Sequence, residues 1–434
     1  MTPTLFVAAA AVPLVLAFAL ACFRDPLRYA LPAYAVMIPF SSLLSVGSGP
    51  FASLSSLLGL LLGLSLVVQL GTTRRGSAVL PLAVPVWLAY LGFSGLTLFW
   101  SINPHATIAD FAVLASQVLL FVALVVTRFD EGTLRRFGTA LLIGGVLVVL
   151  YGLAQLTVLG GLPAPDGRAA RFGNDLLGAN NQAAALLLPI AIAGGRALVG
   201  SVRSRVIHWA LLLLLLFGVL MTGSRGGLLS TAVVLGTVLL LSPARRSTRL
   251  GLVGAAAVLV IVVFVAAPGG VGARQLKEGT SSSGRSDIWA VGLHSCRLYC
   301  LTGAGGGAFP TVYHQELEAT PEARIQERGS TFEPHNIFLL AVIEVGVIGL
   351  LLILVGLGSA FVTSLRLPVD LRAPPAGALL GTVVSSFFLS NLEFKFFWAV
   401  LAYVAISGTV AAGRPSDAPP VLVRPTVAAD GGGA

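Results

Sequence analysis

The sequence predicts an all-α, polytopic integral membrane protein with about 12 to 13 transmembrane helices and one long extracytoplasmic loop that contains an amphipathic helix. Three observations carry that prediction. The chain has 434 residues, of which 56% are hydrophobic and only 10% charged, with a mean hydropathy of +0.92. A soluble protein of this size carries about 25% charged residues. Apolar runs of about 20 residues, each long enough to cross the hydrocarbon layer as a helix, recur from end to end. Arginines collect in alternate loops between those runs, as membrane insertion requires.

Read between charged and Gly/Pro-rich breaks, the apolar runs fall near 4–22, 29–46, 51–70, 79–100, 108–127, 137–159, 180–199, 207–222, 226–241, 250–267, 336–361, 374–391 and 396–412. The first run lacks the basic leader of a cleaved signal and is followed by further spans, so it reads as a retained helix. Arg24 and Arg28, Arg74 and Arg75, Arg128, Arg135 and Arg136, Arg196, Arg203 and Arg205, Arg245, Arg246 and Arg249, then Arg366 and Arg372 mark one side. The intervening short loops hold only Arg168, Arg171, Arg225 and Lys395. The first set is cytoplasmic by the positive-inside rule, which places the N-terminus and the loop from Pro268 to Pro334 outside and the C-terminus inside. Twelve helices with both ends inside give the same sides for everything downstream.

A single transmembrane helical domain therefore spans 1–412 and includes the 268–334 loop, with the amphipathic stretch "SDIWAVGLHSCRLYC". The tail, 413–434, is rich in Pro, Gly and Ala and is expected to be a disordered cytoplasmic segment. The net charge of +9 is scattered through loops and forms no stripe, which points to membrane lipid headgroups and anionic lipid-linked substrates and away from nucleic acid. Cys22 lies in the first span. Cys296 and Cys300, four apart on one helical face, are not expected to bond. Glu316 and Glu318, the outer loop's nearest approach to a D-x-D pair, read as a solvated helix face.

Four outward patches hold residues that are costly near lipid. "RFGNDLLGANNQ" brings Arg171, Asn180 and Asn181 to a helix start, where asparagine is also a good N-cap. "MTGSRGGLLS" puts Arg225 in a short turn beside Gly226, whose missing side chain would let an anion approach the backbone. "GRSDIW" sets Arg285 near the start of the amphipathic helix, with Asp287 as an alternative partner. "EPHNIFLL" places His335 and Asn336 at the outer surface of a span, with Glu344 deeper in the same run. Arginine forks suit phosphate oxygens, and an imidazole suits proton abstraction near neutral pH.

The motifs "NDLLGANNQAAALLLPIAIA", "TGSRGGLLS", "GRSDIW" with "LTGAGGGAF", and "HNIFLLAVIEVGVIGLLL" resemble, in order, signatures of the O-antigen ligase and O-antigen polymerase family of bacterial envelopes. "SNLEFKFFWAVL" resembles that family's acidic-aromatic motif and adds Glu393 to the candidate substrate-binding residues. The resemblance implies a glycosyltransferase without metal or other cofactor, which moves a polysaccharide from undecaprenyl diphosphate to a lipid A-core sugar or another glycan acceptor. It implies a multi-pass protein of the bacterial inner membrane with its active site facing the periplasm. By the same resemblance Arg225 and Arg285, assisted by Arg171, hold the diphosphate, and His335 activates the acceptor hydroxyl. The family's ligases usually have twelve helices, so the additional N-terminal run is a departure. A lipid-linked glycan flippase or other transporter is the rival from another class. It predicts charges along the membrane interior, whereas here they gather at the outer face.

Overall fold

The computed structural model describes residues 3–41, 53–72, 80–158, 171–173, 175–243, 285–321 and 332–414, together with Gly161, Gly254 and Ala323. All regular structure among these residues is helical. The helices are α1 Pro3–Arg24, α2 Ala30–Met37, α3 Leu54–Thr72, α4 Ala83–Leu96, α5 Pro104–Val126, α6 Glu131–Thr157, α7 Ala179–Ala185 and α8 Leu187–Leu198. They continue with α9 Val202–Met221, α10 Arg225–Leu241, α11 Arg285–Tyr299, α12 Phe309–Glu316, α13 Ile337–Glu344, α14 Gly346–Arg366, α15 Val369–Ser385 and α16 Lys395–Ala412. Among the described residues six helices, α3, α5, α6, α9, α14 and α16, are long and apolar enough to cross a membrane, and the protein is a polytopic membrane protein. The expected span 250–267, the arginines of 73–79 and 244–250, and the tail beyond 414 lie outside the described residues.

Helix starts follow local chemistry. Asn103, Asp130, Ser201, Ser224 and Asn336 each accept a first-turn backbone N–H with a side-chain oxygen, so donors that lipid cannot satisfy are satisfied at the boundary. Two apolar runs that read as single spans are broken. The run 180–199 divides at Leu186 into α7 and α8, and 336–361 divides at Val345 into α13 and α14. Gly346 has φ +80°, and a Cβ there would lie 2.6 Å from the Leu301 carbonyl oxygen. The second break thus exists to admit another segment of chain.

That segment is the glycine loop from Gly303 to Gly307. Ala304 N–H donates to the Ile343 carbonyl at 2.8 Å, Gly305 N–H to Glu344 at 2.9 Å, and Val347 N–H to Cys300 at 2.8 Å. On its other side Ile102 N–H donates to Ala304 at 2.9 Å, and the Trp100 indole donates to Thr302 at 3.1 Å. Glu344, buried at helix depth, accepts the Phe309 N–H at 2.9 Å and so caps α12. The charge that looked expensive in the sequence therefore fastens the outer loop to the bundle. A Cβ at Gly303 would overlap the Glu344 carbonyl. Gly303→Ala is expected to cost about 1–3 kcal/mol. The loss should appear as faster protease cleavage of the 300–320 segment, with the rest of the bundle still resistant.

The outer segment departs from expectation twice more. Cys296 and Cys300 are joined in a disulfide, because the last turn of α11, closed by the Cys300 N–H donating to the Cys296 carbonyl at 3.1 Å, brings their Cα atoms to 4.4 Å, within reach of the bond. Glu316 is buried and bonds Arg297 at 2.9 Å across α11 and α12, so it is an inter-helix tie and not a solvated face.

At the opposite end of the bundle, Arg414 bonds Glu131 at 2.8 Å and Asp370 at 2.8 Å. This ties the end of α16 to the starts of α6 and α15, placing two of the arginine-rich loops and the end of α16 on one side, as the charge pattern requires.

Candidate functional site

Arg225 is the first residue of α10, directly after its Ser224 cap, whose Oγ accepts the Gly227 N–H at 3.1 Å. Arg285 is the first residue of α11. The two helix starts meet in a polar cleft of about 100 Å³ lined by Asn180, Ser224, Arg225, Gly226, Arg285 and Phe388, among others. Two guanidinium groups and two helix N-termini make this cleft suited to an anion. Its size fits a phosphate group and leaves any sugar chain outside.

Arg171 stands behind the cleft. Its Nε donates to the Thr222 carbonyl at 2.6 Å and its Nη2 to Asn180 Oδ1 at 3.0 Å. It thereby fixes both the turn that presents Arg225 and the amide that lines the cleft. Asn181 turns away and donates to the Leu177 carbonyl at 3.2 Å. Gly226 lines the cleft, and its missing side chain faces Phe388, 3.3 Å from where a Cβ would stand.

His335 lies next to the cleft wall, in a segment held on both sides. The Trp289 indole donates to the Pro334 carbonyl at 2.7 Å, and Ile337 N–H donates to Ser386 at 2.9 Å, one residue from the cleft-lining Ser385. Asn336 Oδ1 accepts from Phe338 and Leu339 N–H at 3.0 and 3.1 Å, so its side chain serves as an N-cap. Between these ties His335 has φ +46°, the one positive φ among the described non-glycine residues. A left-handed conformation at histidine costs about 1 kcal/mol or more and persists where surrounding contacts dictate it. Burial, and then the positive charge of Arg285, hold the imidazole below its ordinary pKa, so it is neutral and able to accept a proton near pH 7.

Trp289, quoted in the "GRSDIW" motif but given no role there, is the residue that sequence reasoning missed. A tryptophan in a helix of otherwise low hydrophobicity was the available signal. Trp289→Phe keeps the ring and removes the bond to Pro334, and should speed amide hydrogen exchange in the 335–337 segment about tenfold while leaving the rest of the bundle protected, as hydrogen-exchange mass spectrometry would show.

Glu393 is not in the arginine cleft. It lines a neighbouring crevice with Asp110, Glu344 and Ser390. Although Glu393 is exposed at the rim, the protein around it desolvates its carboxylate and, with the charges of Asp110 and Glu333, raises its pKa to about 7. No group of three or more His, Cys, Asp or Glu side chains among the described residues is arranged to hold a metal ion.

The structure is that of a polytopic membrane protein whose helices bring two arginines to one polar cleft, with a constrained histidine beside it. Residues 210–354 match the O-antigen ligase family model. The matched stretch contains Arg225, Arg285 and His335. The exopolysaccharide production protein ExoQ of Rhizobium meliloti (strain 1021) is 29% identical over 322 residues, which cover 68% of this chain and 69% of that protein.

Proposed function

We propose that the protein is an inverting glycosyltransferase that moves a polysaccharide from undecaprenyl diphosphate to a sugar hydroxyl at the outer face of the bacterial inner membrane. The observation that carries this reading is the meeting of Arg225 and Arg285, each at a helix start, in one cleft beside His335. The acceptor hydroxyl oxygen attacks the anomeric carbon of the donor glycan, and the bond from that carbon to the diphosphate oxygen breaks. The electron pair leaves with undecaprenyl diphosphate, whose added negative charge falls on the two guanidinium groups and the helix N-termini. The hydroxyl proton passes to the neutral imidazole of His335. Arg171 and Asn180 hold the anion cleft in shape, and Asn336 and Trp289 hold His335.

Two acceptors fit this chemistry. The family description favours ligation to lipid A-core, whereas the similarity to an exopolysaccharide production protein favours extension of another glycan chain. Purified protein reconstituted with lipid-linked oligosaccharide alone should form a longer lipid-linked glycan if it is a polymerase. It should form product only after lipid A-core is added if it is a ligase. Movement of unaltered donor between leaflets, with no new glycosidic bond, would instead make it a transporter.

The outward placement is supported by the arginine-rich loops on the opposite side and by the Cys296–Cys300 disulfide, which suits an oxidising compartment. In a background lacking the native cysteines, Leu293→Cys on α11 should react with an impermeant thiol reagent added outside the inner membrane. Val202→Cys, at the start of α9, should react only after that membrane is lysed. The reverse pattern would overturn the orientation.

A further inference from the structure

A second site lies on the lipid-facing side of the same end of the bundle. A groove of about 390 Å³ runs between α3 and α5, walled by Gly59, Gly63 and Val67 on one side and Ala115 and Leu120 on the other, with Lys395 at its head. From Ser56 to Val67 it descends roughly 16 Å along α3, at 1.5 Å per residue. Its flanks are exposed leucines and valine, Leu60, Leu64, Val67 and Leu119, so it opens sideways to lipid and not to water.

The head of the groove is positively charged. Lys395 Nζ donates to Ser55 Oγ at 2.8 Å and to Ser56 Oγ at 2.9 Å. No carboxylate among the described residues pairs with it. An ammonium placed between apolar helices with neutral partners is completed by an anion. An apolar channel with a single cation at its upper end matches a single-chain lipid with a phosphate head. A groove of about 390 Å³ between two adjacent helices has room for the upper part of one chain and leaves the second chain of a phospholipid outside it.

The α15–α16 connection links this groove to the arginine cleft. Ser385, Phe388 and Leu389 line the cleft at its start, and Lys395 caps the groove at its end. Asn391 braces the connection by donating to Ser385 Oγ at 3.2 Å and Ser386 Oγ at 3.1 Å, and the Trp398 indole donates to the Leu392 carbonyl at 2.7 Å. A lipid headgroup at each end of one braced loop would present two glycans to the same face.

We infer that the α3–α5 groove holds the chain of a second polyprenyl phosphate or diphosphate lipid, with its phosphate at Lys395, and that this lipid anchors the acceptor glycan. The inference rests on the transferase reading and favours its polymerase branch, because lipid A-core does not present a single chain. Gly63 controls the groove's width: a Cβ there would find Leu120 Cδ1 as its nearest neighbour at 3.8 Å, so a leucine at this position projects into the channel without displacing backbone.

The test counts undecaprenyl diphosphate bound to the full-length protein by native mass spectrometry, alongside transfer assays. Wild type should bind two lipids. Lys395→Gln, which keeps a donor for the serines but loses the charge, and Gly63→Leu should each weaken one lipid about tenfold and leave the other. The double change Arg225→Gln with Arg285→Gln should remove the other lipid. Lys395→Gln should also raise the acceptor KM about tenfold with little change in kcat. The inference fails if neither Lys395→Gln nor Gly63→Leu weakens a bound lipid, if acceptor KM is unchanged, or if equimolar phosphatidylglycerol displaces that lipid. Two bound lipids without glycan transfer would sink the transferase reading and keep the groove. Transfer with one bound lipid would do the opposite.

Discussion

Replacing Arg225 or Arg285 by lysine should slow glycan transfer by about ten- to a thousandfold. Lysine keeps the charge but loses the planar fork, and each charge-assisted contact is worth about 1.5–3 kcal/mol. The loss should appear mainly in kcat/KM for the donor, because both guanidinium groups lie in the cleft assigned to the diphosphate. Arg203 and Arg366, exposed at the opposite end of the bundle, provide the comparison and should tolerate the same change. Equal losses at all four positions would mean that lysine disturbs insertion or folding, and the diphosphate site would lose its support.

His335→Asn should lower transfer by about a hundredfold or more while donor binding persists. Asparagine is the informative replacement because it tolerates the left-handed backbone that His335 adopts at φ +46°. Alanine would add backbone strain to the loss of the imidazole, so its larger defect would be harder to assign. The wild-type rate should rise with pH through a value below that of an ordinary imidazole, since burial and Arg285 favour the neutral ring. Arg285→Lys retains the positive charge and should leave that limb in place, whereas Arg285→Gln should move it toward higher pH. A pH–rate profile for each variant checks both shifts. If His335→Asn keeps near-normal transfer, hydrogen bonding at the helix start suffices and His335 is not the base.

Much of this fold was legible because membrane insertion imposes simple rules. Runs of about 20 apolar residues announced helices, and arginine asymmetry separated the two ends. The starts of α10, α11 and α13 were legible from Arg225, Arg285 and His335 standing where polar loops meet apolar runs. The breaks at Leu186 and Val345 were not, because hydropathy is continuous across them and only the close approach of the Gly303–Gly307 loop explains the second. Asn336 and Glu344 illustrate a related limit: a polar residue beside lipid signals that a partner exists, but not which one. For both, the partners are backbone N–H groups at helix starts. Glu393 was selected through a motif, and its place in a crevice beside the arginine cleft depends on how α15, α16 and α5 pack, which no local pattern encodes.

The central claim is that one outward-facing cleft binds a lipid diphosphate and drives glycan transfer. It is tested most directly by reconstituting the purified protein in vesicles of defined sidedness, with lipid-linked donor and acceptor glycan supplied to one face only. The account predicts product when the face bearing Arg225, Arg285 and His335 receives both substrates. It also predicts that His335→Asn binds donor at that face but forms less than about one-hundredth of the product. Product formed equally from the arginine-rich Arg135 and Arg366 face, or donor binding lost in proportion to rate in His335→Asn, would contradict it.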